Sequence, residues 1–208
     1  MKKIKEYFAL PFFIMVRPIE GFKRIKYEKA GKWSHAILFL AMLCVSYTFQ
    51  KQYRGFVLQK SHPLSFNLFF DITQILIVVI LFGVANWSVT SLLNGEGKFL
   101  DIMRNVTYSF FPLLLVLIPI TLVSNFFTVE ESTFFGIVIY IALVWFAMLA
   151  FMSILVTHNY SFMKTLATIG LTLLAALVIT FMLGLLVALV QQVYVFIEGV
   201  YKELIYRI

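Results

Sequence analysis

Residues 72–93 read ITQILIVVILFGVANWSVTSLL, twenty-two residues without a charge. At 1.5 Å per residue a helix of about 20 residues crosses the roughly 30 Å hydrocarbon core of a bilayer. In lipid a spanning segment must satisfy its own backbone hydrogen bonds, which leaves a helix or a closed barrel. Barrel strands alternate apolar and polar residues over short segments, whereas this run is continuously apolar. The stretch is therefore a membrane helix. Reading outward, four further runs qualify, at about residues 33–49, 106–126, 134–156 and 165–190. The expected fold is an all-α polytopic membrane bundle with five transmembrane helices. Residues 1–32 form a basic interfacial segment, 33–190 the membrane domain and 191–208 an amphipathic tail.

Composition agrees. The chain of 208 residues is 62% hydrophobic and 13% charged, with a mean hydropathy of +0.94. Soluble domains are about 45–50% apolar and about 25% charged. No Pro/Gly/Ser-rich linker divides the chain. The single cysteine, Cys44, lies in an apolar run and reads as a small buried hydrophobe. The net charge of +7 is a matter of topology and not of nucleic-acid binding.

Twelve of the seventeen Lys and Arg residues fall on one side of the expected spans. They are Lys2, Lys3, Lys5, Arg17, Lys23, Arg24, Lys26, Lys29 and Lys32, then Lys98 and Arg104, then Lys164. Lys51, Arg54, Lys60, Lys202 and Arg207 fall on the other. The positive-inside rule makes the richer side cytoplasmic, with the N-terminus inside and the C-terminus external. Residues 7–16 lack a small-residue cleavage site and contain Pro11, which argues against a signal peptide. Ile4, Phe8, Phe12 and Met15 recur at helical spacing, as in a helix lying in the interface. Pro18 suits the first turn of a second short helix, in which Glu20 can pair with Arg24. Lys23, Arg24, Lys26, Lys29 and Lys32 are candidates for contacts with anionic lipid headgroups.

Chemistry-bearing motifs are sparse. Asp71 and His35 sit near span ends, where water is expected to reach them, and Asn86 suggests an interhelical hydrogen bond. There is no zincin or nucleophile-elbow motif. His35, His62 and His158 read as separate interfacial residues, and Glu130-Glu131 as a short external loop. Asn94-Gly95-Glu96-Gly97 lacks the G-K-[ST] continuation of a phosphate loop and reads as a tight turn. No cofactor, metal or catalytic activity is expected.

Residues 86–115, NWSVTSLLNGEGKFLDIMRNVTYSFFPLLL, carry a resemblance. The Gly95-x-Gly97 turn, Phe99, Asp101, Tyr108-Ser109 and Pro112, with Pro18, Phe22, Gly31 and Trp33 before the first span, resemble the Yip1-domain family of five-span membrane proteins. The short lysine-rich start resembles its bacterial branch. Physically, Gly95 and Gly97 permit a close reversal, Asp101 and Arg104 are spaced to pair, and Pro112 and Pro119 kink the third span. The resemblance implies a non-enzymatic role. Eukaryotic members bind small GTPases in membrane traffic, and some bacterial members occur beside carbohydrate ABC importers. The chain lacks the permease coupling signature E-A-A…G. Two functions follow: an accessory or scaffold subunit that binds another integral membrane protein, such as a sugar-importer permease, or a stand-alone carrier or lipid-handling protein. A carrier path needs polar groups converging at the midplane, and the sequence offers few.

One further pattern lies in the fifth run. Thr168, Thr172, Ala176, Thr180, Gly184 and Ala188 are small residues spaced four apart, a spacing that lets helix backbones approach closely. Beyond them Val193, Ile197, Val200, Leu204 and Ile208 share one face of a helix.

The orientation predicts that, in a Cys44-free background, a cysteine at position 97 reacts with an impermeant thiol reagent only from the cytoplasmic side. External labelling there would overturn the topology.

Overall fold

The computed structural model of the chain describes residues 2–58 and 67–206. Lys60, His62, Arg207 and Ile208, and the side chains of Lys2, Lys3, Ile4 and Lys5, lie outside the described residues. Eight α-helices follow in order: α1 (Lys2–Val16), α2 (Pro18–Tyr27), α3 (Trp33–Tyr53), α4 (Leu68–Leu92), α5 (Phe99–Ser109), α6 (Phe111–Val123), α7 (Ser132–His158) and α8 (Phe162–Tyr206). Five helical stretches are long and apolar enough to span a membrane, with α5 and α6 together forming the third. The chain is a polytopic helical bundle, as the apolar runs require.

The helices begin and end for local reasons. Pro18 opens α2, where its missing amide costs nothing. Asn67 caps α4, its side chain accepting from Phe70 N at 3.1 Å. Asn159, in the left-handed conformation at φ 55°, closes α7. The third span does not bend smoothly at Pro112. It breaks at Phe110, whose amide turns back to Thr107 O at 3.2 Å, and Pro112 sits in the first turn of α6. A proline at 112 can neither donate to the carbonyl of residue 108 nor leave it room, so the helix restarts. Pro119 is carried inside α6 without ending it.

The core gathers Phe22, Phe39, Tyr108, Phe111, Leu114 and Leu149. Phe39 meets Tyr108 and Phe111 edge-on at 5.6 and 5.7 Å, a preferred aromatic geometry. The N-terminal helix is more than an interfacial float. Phe8 packs on Phe39 and Phe111, Phe12 lies 5.0 Å from Phe111, and Ile14 is fully buried. The protein therefore covers part of the face of α1 expected to rest on lipid: Phe8 and Met15 are half-buried, while Phe12 stays 45% exposed. Glu20 pairs with Arg17 at 3.5 Å and not with Arg24, whose guanidinium lies 4.1 Å from the centre of the Phe13 ring.

Two polar residues expected near water are inside. His35 is buried, and Asp71 is 0% exposed and joined to Lys51 at 2.5 Å. The first span runs a full turn past the apolar run, to Tyr53, and so brings Lys51 to Asp71. Among the described residues Asp71 Oδ2 has no partner, and Lys51 is the carboxylate's counter-charge.

Lys51→Met should lower stability in mild detergent by about 3–5 kcal/mol, because it strands a buried carboxylate. Adding Asp71→Leu should recover most of that loss. Equal thermal midpoints for the wild type and Lys51→Met would show that the pair contributes nothing.

Candidate functional site

At one end of the bundle the residues of the resembling stretch meet α2 and the end of α7. The turn after α4 places Asn94 in the left-handed region at φ 55°, which Asn tolerates better than most residues. Neither Gly95 nor Gly97 has a positive φ. The glycines are there for space and not for the turn's dihedral angles. A Cβ on Gly95 would collide with His158 Nδ1 and stand 2.9 Å from the Tyr160 hydroxyl. One on Gly97 would stand 2.5 Å from Thr157 Cγ2 and 2.9 Å from His158 Cε1. The backbone thus lies directly on the last turn of α7, and Gly97 N donates to His158 Nδ1 at 3.3 Å. That bond assigns the ring proton to Nε2, which is buried and, among the described residues, has no partner.

Charged groups surround this contact. Lys26 of α2 donates to Glu96 Oε2 at 2.7 Å and to Val156 O at 3.2 Å. Asp101 accepts from Lys98 N at 3.4 Å at the start of α5 and pairs with Arg104 at 2.8 Å, the pairing its spacing anticipates. Arg104 also donates to Gly31 O at 3.4 Å, and the Tyr108 hydroxyl to Lys32 O at 3.4 Å. Lys164 reaches Leu93 O at 2.9 Å and lies over the Tyr160 ring. Deeper in the bundle Asn105 donates to Thr157 Oγ1 at 2.7 Å, and Asn86 to Thr172 Oγ1 at 3.1 Å. All three segments on the lysine-rich side thus come to the same end of the molecule.

The arrangement is a clasp. Its hollow, lined by Lys26, Glu96, Gly97, Asp101, Arg104, Asn105 and Thr157, is about 60 Å³. Ligand sites are typically about 300–1,000 Å³. Its two cations face two carboxylates, so charge is balanced within it. Among the described residues no three His, Cys, Asp or Glu side chains come together as metal ligands. Lys26 holds the Glu96 carboxyl below the ordinary glutamate range, and burial raises the Tyr160 hydroxyl.

The other anticipated residues are dispersed. Lys23, Arg24, Lys29 and Lys32 are exposed beside α2, while Lys26 points inward to the clasp. In the stripe on α8, Thr168 and Thr172 are fully buried against α4 and Ala176 is half-buried. Thr180, Gly184 and Ala188 are exposed, and a Cβ on Gly184 would meet nothing within 4 Å. The threonine hydroxyls at 168, 172 and 180 donate to their own helix four residues back. Residues 191–206 continue α8 without a break and stay largely exposed, with Glu198 and Lys202 paired at 2.6 Å. His158, read as a plain interfacial residue, is instead buried at the centre of the clasp with Tyr160 stacked on it. The polar run Thr157-His158-Asn159-Tyr160 at the end of an apolar span was the signal for it.

Gly97→Ala should cost about 1–3 kcal/mol, as overpacking of a filled contact does, whereas Asn94→Gly should be tolerated. Circular-dichroism melts in detergent would measure both; a neutral Gly97→Ala would contradict the close approach. The lowered Glu96 value makes the Lys26 pair stabilising above the ordinary glutamate range, near pH 4.3. That contribution disappears as pH falls through the lowered folded value. The small gap in melting point between the wild type and Glu96→Gln should therefore be present at neutral pH and close on acidification. A gap that does not change with pH would remove Glu96 from the clasp.

No curated protein and no solved structure matches the chain. A family model does: the Yip1 domain matches residues 12–202, from the middle of α1 to near the end of α8, and takes in the whole clasp. A match over nearly the entire length, on a bundle with five spanning helices and the glycine turn seated on α7, places this chain in the Yip1 family.

Proposed function

We propose that this protein is a non-enzymatic accessory or scaffold subunit that binds another integral membrane protein. The permease of a bacterial carbohydrate ABC importer is the partner we favour, in the cytoplasmic membrane, with anionic lipid around the exposed Lys23, Arg24, Lys29 and Lys32. The observation that carries this reading is α8. It has 45 residues, about 67 Å of helix, more than twice the hydrocarbon thickness. It packs on α4 and, to a lesser extent, on α7, and from Thr180 to Tyr206 every residue but Glu198 is exposed. Thr180, Gly184 and Ala188 present a small-residue face there, the kind of surface on which membrane helices approach closely.

Affinity purification from mild detergent tests the reading. Permease and ATPase subunits should co-purify, and recovery of the protein alone would favour a stand-alone carrier or lipid-handling protein. Gly184→Leu should leave the isolated protein's melting point unchanged, since among the described residues nothing lies within 4 Å of a Cβ there, yet reduce recovered partner about tenfold. Truncation after Gln191 should preserve membrane insertion and weaken partner retention. If both variants retain partner as the wild type does, α8 is not the docking helix.

A further inference from the structure

The break at Phe110 has a consequence on the far side of the third span. α5 packs on α4, whereas α6 turns to α3 and α7, so α4 leans on α3, α5 and α8 without closing against α6 and α7. A two-lobed crevice remains between them. One lobe, about 360 Å³, is walled by leucines 43, 113, 117 and 143 and ends in Tyr47, Gln50 and Gln74. The other, about 320 Å³, is lined by hydrocarbon alone. Val78, Val79 and Phe110 line both lobes, and Phe110 stacks on Phe146 at 4.4 Å between them. Rim residues Val78 and Leu173 are 60% and 57% exposed, so the crevice opens sideways from the bundle.

Each lobe falls in the size range of ligand sites, about 300–1,000 Å³. An apolar void excludes water, and leaving it empty forfeits dispersion contacts along its walls. What reaches a lateral opening in a membrane helix bundle is lipid. The lining also has a direction, with polar groups only at the end away from the Lys26–Glu96 clasp, beside the Lys51–Asp71 pair. That is the pattern for an amphiphile: exposed Gln74 at the mouth with half-buried Tyr47 and buried Gln50 behind it, amide and hydroxyl donors for ester and phosphate oxygens, and hydrocarbon beyond. A partner helix fits less well. Along α4 the crevice extends from Gln74 to Phe82, eight rises or about 12 Å, and along α7 from Ile139 to Ile154, fifteen rises or about 22 Å, both short of the roughly 30 Å over which a crossing helix makes contact.

We infer that this crevice is a specific phospholipid site, with one acyl chain between α4 and the α6–α7 pair and the headgroup at Tyr47, Gln50 and Gln74. The site does not depend on the scaffold reading, since it lies away from the open face of α8.

Native mass spectrometry of the full-length protein, titrated with dioleoyl phosphatidylethanolamine in detergent, tests it. The wild type should show one dominant adduct of a single lipid per chain. Val78→Phe with Ala147→Phe, both at exposed lining positions, should fill the lobes and weaken that adduct about tenfold. Gln74→Leu should weaken it for the phospholipid more than for a diacylglycerol, which lacks the phosphate. Leu177→Phe, on the open surface of α8, should change nothing. Each single filling variant is measured alone as well, so a folding defect in the pair cannot hide the result. A ladder of weak adducts in the wild type, or equal adducts in wild type and filled variants, would mean boundary lipid only and overturn the proposal. So would a co-purifying polypeptide that displaces the lipid from the crevice.

Discussion

The bundle depends on the approach of the 94–98 backbone to the last turn of α7. A membrane helix hairpin must end somewhere, and the exposed amides and carbonyls of its turn need partners. Here the turn lies on Thr157 and His158 with no side chain between them, and the imidazole accepts the amide of Gly97. Once the turn is seated, Glu96 is at Lys26, Leu93 O is at Lys164 and Tyr160, and α5 lies so that Asn105 meets Thr157. Four segments distant in sequence are thus tied at one end by a contact that tolerates no Cβ.

Away from that end, few hydrogen bonds hold the spans together. Most buried hydroxyls, including Thr90, Ser109, Thr121, Thr165 and Thr168, donate to their own helix four residues back. This satisfies them without linking neighbours. Within the bundle Asn86–Thr172 and Asn105–Thr157 do cross between helices, and such bonds average about 0.6 kcal/mol in a membrane. Cohesion therefore comes from packing, and packing is uneven. The aromatic core unites α1, α2, α3, α5, α6 and α7, while α8 is attached mainly through α4. The α4–α8 pair is a flank on that body, and the break at Phe110 keeps the flank from closing fully.

The five spans, the approximate limits of the first, second and fourth, the short second helix opened by Pro18 and the Asp101–Arg104 pair were legible in the sequence. They depend on run length, on proline's missing amide and on the meeting of residues three apart along a helix, all local properties. The residues 86–115 pointed to the Yip1 family for the same reason: the motif is contiguous. The inward turn of Lys26, the burial of Asp71 beside Lys51 and the place of His158 under two glycines were not legible. Each depends on which helix packs beside which, and partners such as Lys26 and Glu96, or Gly97 and His158, lie 60 to 70 residues apart. The glycines show the division most clearly. By itself the sequence determined that residues 94–97 turn, because Asn and Gly adopt tight reversals readily. Only the tertiary structure decided why they are glycines: the turn's dihedral strain falls on Asn94, and the space a Cβ would need at 95 and 97 is already occupied by α7.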